Sequence, residues 1–93
     1  MKYRKKPVVI DAVQWNGTND NDVVDFLTAE DVDRDVTIDF NTYGVIEDIV
    51  VHTLEGDHQV TKNDFIIKGV KGEVYACKPD IFAMTYEAVK ESE

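Results

Sequence analysis

Between Asp64 and Val89 the chain leaves itself little choice of local structure. Phe65 to Lys68 is a short β-type run and Glu73 to Cys77 is another. The four residues that separate them, Gly69 to Gly72, are bracketed by glycine, so the two runs read as a hairpin. Both glycines are predicted to supply the positive φ that such a turn requires. Pro79 then suits the first position of a helix, and Asp80 beside it favours the positive helix end. A helical turn is therefore predicted near 79–83, before Tyr86 to Val89 resumes a strand pattern. Just upstream, Lys62 to Asp64 makes a tight turn, with Asn63 suited to the left-handed region.

The rest of the chain must fit around this unit. Pro7 to Trp15 is β-branched, ends on an aromatic and is bounded by proline on one side and Asn16–Gly17 on the other. Val8, Ile10 and Ala12 fall on one face, and Val9, Val13 and Trp15 share the other with Asp11. Two largely apolar faces predict an interior strand. Asn19 to Asp22 offers helix caps and first-turn negative charge, so a helix is expected over 20–29. Val23, Val24 and Leu27 should face inward on that helix, flanked by Phe26.

Residues 30–35 are too polar for a core element and read as a loop. Val36 to Phe40 alternates, placing Val36, Ile38 and Phe40 on one face. Asn41 to Gly44 is a turn or an irregular link. Ile46 to Leu54 is a further β-type run, and Glu55 to Asp57 closes it onto His58 to Thr61, with the register left open. The tail from Lys90 to Glu93 is expected to fray. The fold class is α+β: one domain over 1–93, a small curved, mostly antiparallel sheet of about five to seven strands, and one main helix.

Charge narrows the function classes. The net charge is −9, and between Pro7 and Thr61 only Arg34 is basic against thirteen acidic side chains. Such a field repels phosphates and disfavours direct nucleic-acid binding. No apolar run approaches the ~20 residues of a membrane helix, and the basic N-terminus runs into Asp11 too soon for a signal peptide. A single cysteine permits no internal disulfide and fits a reducing cytoplasm.

Two blocks carry a resemblance. Tyr3 to Trp15, reading YRKKPVVIDAVQW, is similar to the opening of a family of short bacteriophage and prophage proteins. The segments DFIIKG (64–69), KGE (71–73), CKPDIF (77–82) and TYE (85–87) resemble the close of the same family. Residues 31–48 carry no resemblance. Relatives often have Pro-Gly-Asp where this chain has Lys62, Asn63 and Asp64, and Asn63 can take the glycine's left-handed position at modest cost. The family has no established activity. The resemblance implies a phage origin and a bacterial cytoplasm, and supplies no catalytic residues.

Chemistry-bearing residues are few. His52, His58 and Cys77 show no zinc-ligand spacing, although the two histidines flank one predicted hairpin. No metal, cofactor or enzymatic activity is expected. Cys77 beside Lys78 reads as a structural thiol, and the glycines at 69 and 72 are followed by a strand, not by the helix of a phosphate loop. The strongest candidate is a basic and aromatic patch. If the first strand lay beside the closing strand, Arg4, Lys5, Lys6, Lys68, Lys71 and Lys78 would gather around Tyr3 and Tyr75 to hold a small anion.

The leading expectation is a non-enzymatic accessory protein that binds a host protein or a small anionic molecule. One alternative is an acidic decoy of a host nucleic-acid-binding protein, using Asp20, Asp22, Asp25, Asp31 and Asp33. A structural role in the virion is a further alternative. Sheet edges also permit a homo-oligomer.

Overall fold

The computed structural model describes residues 1–4 and 6–89. Lys5 and the tail Lys90 to Glu93, for which fraying is expected, lie outside the described residues. The order of elements is β1 (Asp11–Gln14), α1 (Asp20–Ala29), a 3-10 turn (Asp33–Asp35), β2 (Val36–Phe40), β3 (Ile46–Thr53), β4 (Gly56–Val60), β5 (Phe65–Lys68), β6 (Val74–Cys77) and α2 (Pro79–Thr85). The class is α+β, but the strands form two sheets where one was expected. The first has the order β1-β5-β6, the second β2-β3-β4, and every pairing is antiparallel.

The first sheet is built from the two ends of the chain. β5 is its central strand, so β1 is an edge and not the predicted interior strand. It is also shorter than Pro7 to Trp15. Asp11 pairs with Lys68, the last residue of β5, so Val8 and Val9 run past the end of their partner and stay exposed. Pairing was limited by the length of β5, not by the propensity of the arm. The strand expected at 86–89 is absent, and α2 runs to Thr85 instead of ending near 83.

Alternation along β5 explains why it holds the molecule together. Ile66 and Ile67 point to opposite faces and are both 0% exposed. On one face Ile66, Val13, Val74 and Ala76 join a cluster with Trp15, Val23, Leu27 and the second sheet's Ile49, Val51 and Val60. On the other face α2 covers the sheet. Phe82 stacks on Phe65 with ring centroids 3.7 Å apart and planes within 5°, and Tyr86 tilts against Phe82 at 4.9 Å.

Helix α1 has the predicted bounds, with Val23 and Leu27 buried and Phe26 partly buried. Val24 is exposed, contrary to expectation, because the core meets only the 23/27 stripe. Asn19 sits at the N-cap but makes no capping bond. Its side chain turns back instead, accepting from Asn16 N at 2.8 Å and donating to the Gln14 carbonyl at 2.7 Å.

The helix ends in a motif that the polar reading of 30–35 conceals. Asp31 takes φ +57, its N–H donates to the Thr28 carbonyl, and Val32 N donates to the Leu27 carbonyl at 3.0 Å. This is a Schellman close with aspartate in the place glycine usually holds. It turns Val32 inward beside Leu27, and Val32 is a core residue at 2% exposure.

The second sheet is a meander of neighbours in sequence. Asn41 Oδ1 accepts from the N–H groups of Tyr43 and Val45, which closes the β2–β3 link. The β3–β4 turn centres on Leu54 and Glu55, with Thr53 opposite Gly56. A register shift between Asp39 and Phe40 leaves Phe40 half exposed, so only Val36 of the predicted face is fully buried.

Candidate functional site

Two lysines of the expected anion patch, Lys68 and Lys78, are held by separate partners. Lys68 Nζ donates to the Glu30 carbonyl at 2.9 Å and lies 3.6 Å from the Glu30 carboxylate. It therefore neutralises the negative end of α1. Lys78 stands at the opposite end of the β5–β6 hairpin, beyond the Phe65–Cys77 pair, while Lys68 faces Val74. Its ammonium reaches Asp64 at 3.3 Å and the Thr61 hydroxyl at 3.1 Å. Lys71 is exposed in the hairpin loop, Tyr3, Arg4 and Lys6 are exposed on the N-terminal arm, and Lys5 lies outside the described residues. The first strand lies beside β5 and not beside a closing strand at 86–89, and with Asp11 opposite Lys68 the arm leaves the sheet at the Lys68 end, away from Lys78.

Tyr75 is also engaged. Its hydroxyl lies 3.0 Å from that of Tyr86. Burial, then the hydrogen bond to Tyr86, push its ionisation well above the ordinary tyrosine range. The sign of the pH effect follows. An acid that ionises less readily when folded favours the fold below its unfolded pKa of about 10, and that contribution is lost as pH rises further. Denaturant titrations are expected to show stability falling above about pH 10, with a shallower fall in Tyr75→Phe. Equal slopes in the two proteins would remove Tyr75 as the cause.

Cys77 is half-buried, and burial followed by the charges of Asp64 and Asp80 pushes its thiol up. The neighbouring Lys78 does not activate it, because its ammonium is turned to Asp64. Iodoacetamide at neutral pH is expected to alkylate Cys77 several-fold more slowly in the folded protein than in denaturant, as followed by intact mass. Faster labelling of the folded chain would mark an activated thiol and contradict this reading.

The hairpin glycines divide their roles. Gly72 has φ +86, as expected. Gly69 does not have a positive φ. A Cβ there would come within 2.5 Å of the Glu73 carboxyl carbon, so the glycine makes room for that side chain. The Glu73 carboxylate in turn accepts from Lys71 N at 2.9 Å.

The two histidines do not converge. His52 pairs with Asp57 and His58 with Val51, so the side chains alternate to opposite faces of the hairpin. His52 belongs to a chain of hydrogen bonds on the outer face of the second sheet. Its Nδ1 lies 2.8 Å from Asp57 Oδ1 and its Nε2 lies 2.6 Å from Thr37 Oγ1. An ionised Asp57 accepts only, which places a proton on Nδ1. The order is that of an acid, base and hydroxyl relay, but all three side chains are exposed and tie β2, β3 and β4 together. Among the described residues no group of three or more metal-ligating side chains is assembled.

A concavity lies where the two sheets approach. It has a volume of about 730 Å³ between the outer edge of β6 and the β3–β4 hairpin. β6 contributes Val74, Tyr75 and Ala76 to one wall. The hairpin contributes Leu54, Glu55 and His58 to the other, while Asp35 and Glu73 complete the acidic lining. Among the described residues no lysine or arginine lines it.

The edge of β6 is open by construction. β6 pairs with β5 alone, and the bond from Gly69 N to the Glu73 carbonyl sets the alternation of the hairpin. The backbone of Tyr75 and Cys77 faces β5, and that of Val74 and Ala76 turns outward into the groove. Sequence reasoning missed this site because it is made by two sheets whose meeting no local pattern specifies. The available signal was the paucity of basic residues between Pro7 and Thr61.

Neither family models, nor curated proteins, nor solved structures give a match to this chain. Among the described residues no helix is long and apolar enough to cross a membrane.

Proposed function

We propose that this chain is a phage or prophage accessory protein of the bacterial cytoplasm that acts by binding, and that its acidic groove receives an extended basic segment of a host protein. The observation that carries this reading is the groove itself: a strand edge beside Asp35, Glu55 and Glu73 that, among the described residues, has no strand partner and no lysine or arginine in its lining. An open edge offers main-chain hydrogen bonds to any extended peptide, and the side chains around it choose among peptides. Carboxylates choose lysine and arginine.

The ion pairs of Lys68 and Lys78 favour a basic ligand over a small anion, since both cations already serve the fold. The resemblance of residues 3–15 and 64–87 to phage proteins supports the origin. The alternative of an acidic decoy uses the same sign of charge but a different surface, with Asp22 and Asp25 exposed on α1.

The test is fluorescence anisotropy with a labelled peptide of alternating lysine and valine, against the same peptide with glutamate for lysine. Binding of the basic peptide is expected, weakening with salt as surface charges are screened. Asp35→Lys with Glu55→Lys should reduce it at least tenfold, and reversing Asp22 and Asp25 should not. Equal binding of both peptides, or loss of binding only on the α1 reversals, would overturn the groove reading. In the second case the decoy surface takes its place.

A further inference from the structure

We infer that the groove of one copy is occupied by the N-terminal arm of a second copy, so that the free protein is an arm-exchanged dimer. The inference rests on the groove reading above and adds the identity of an occupant.

The arm has the chemistry of the proposed ligand. Residues 1–10 hold four basic side chains, Lys2, Arg4, Lys5 and Lys6, and no acidic one. The rest of the chain holds all of the acidic side chains. Tyr3 is 88% exposed, Val9 73% and Val8 48%. Three apolar side chains are thus presented to solvent beside Lys2, Arg4 and Lys6, which are exposed as well.

The end of the arm also has the composition of a strand, with no strand partner among the described residues. Pro7 to Ile10 continues directly into β1 and has its β-branched composition, yet β5 stops at the residue facing Asp11. β-branched residues favour extended backbone whether or not a partner is present. Ten extended residues span ~33 Å, enough to leave one molecule and run along a short edge strand of another.

The groove offers what the arm lacks. The outward N–H and C=O groups of Val74 and Ala76 can pair with the main chain of the arm. Glu55, Asp35 and Glu73 can meet its cations, and Leu54, exposed on the hairpin, can meet its valines. Both features lie on every copy, so reciprocal exchange about a twofold axis fills both grooves and leaves no free end. The same exchange covers the open edge of β6, which would otherwise pair indiscriminately.

Sedimentation velocity on the full chain at low and physiological salt tests the inference, with three variants. In the first, Lys2, Arg4, Lys5 and Lys6 are changed to glutamate. In the second, Asp35→Lys is combined with Glu55→Lys, and in the third residues 2–9 are deleted. The wild type is expected to be a dimer that dissociates as salt rises, and each variant alone a monomer with unchanged circular dichroism.

Mixing the arm-reversed and groove-reversed proteins decides the matter. The basic arm of the groove-reversed protein meets the acidic groove of the arm-reversed one, and the acidic arm meets the basic groove, so a heterodimer with two contacts of complementary charge should form from two monomers. A monomeric wild type at low salt overturns the inference, as does a dimer that survives arm deletion or a mixture that stays monomeric. The groove reading is judged separately: if the arm-deleted chain binds the lysine–valine peptide while the wild type is a monomer, the groove stands and the arm is not its occupant, and if the arm-deleted chain does not bind that peptide the groove reading itself falls.

Discussion

Truncating Ile66 to alanine is expected to cost about 3–4 kcal/mol, near the upper part of the range for buried aliphatic side chains. Ile66 is fully buried and sits in the middle of the central strand of its sheet. It joins Val13 on the edge strand to the cluster that α1 and the second sheet complete. The site cannot relax around the vacancy from either side, because the next residue, Ile67, is fully buried on the opposite face. For a domain of this size each kcal/mol moves the midpoint by ~4–8 °C, so thermal unfolding should shift by well over 10 °C. Val70→Ala in the exposed hairpin loop is the control and should stay within ~0.5 kcal/mol. A loss below ~1 kcal/mol for Ile66→Ala would mean that β5 is not packed on both faces.

The second large effect belongs to Asp64. This carboxylate is only 3% exposed, and one oxygen accepts from Thr61 N at 2.8 Å, Thr61 Oγ1 at 2.9 Å and Lys78 Nζ at 3.3 Å. The Asp64 carbonyl also accepts from Trp15 N at 2.9 Å, so the turn that this side chain shapes is where β1 is fastened. Asp64→Ala removes the acceptor from donors that are partly withdrawn from water, at a cost of about 2 kcal/mol.

The two ends of the ion pair should not be equivalent. The Lys78 side chain is 58% exposed and loses little solvation in either state. Lys78→Met is expected to cost less than ~0.5 kcal/mol. Chemical denaturation of both variants separates the cases. Equal losses would assign the stability to the ion pair, whereas the geometry assigns it to the turn.

Much of the fold was legible because it is written locally. Asn63 at φ +76, the helix over Asp20–Ala29, β2 over Val36–Phe40 and the proline-started α2 each follow from a few adjacent residues. What escaped depends on partners distant in sequence. The apolar faces of Pro7 to Trp15 describe a strand well enough, but only the length of β5 decides where pairing stops. Val32 looked like part of a polar loop because its burial depends on a left-handed Asp31, a conformation more often signalled by glycine.

The candidate site shows the same division. The lysines were visible as charges, but Glu30, which takes Lys68, and Asp64, which takes Lys78, could be paired with them only in three dimensions. Tyr75 was visible as an aromatic, and its partner Tyr86 was read as part of a strand. The groove needed the second sheet, whose strands come from the part of the chain with the least recognisable sequence.

The segregation of the two sheets along the chain also sets an order of synthesis. β2, β3 and β4 follow one another and are all present once residue 60 has been made. β1 is translated first but cannot pair until β5, which begins at Phe65, has emerged. A nascent chain therefore completes the sequence of an entire three-stranded meander before β1 can meet its strand partner. Joining β1 to β5 must then close the long loop, at an entropic cost that grows with the length of chain between them.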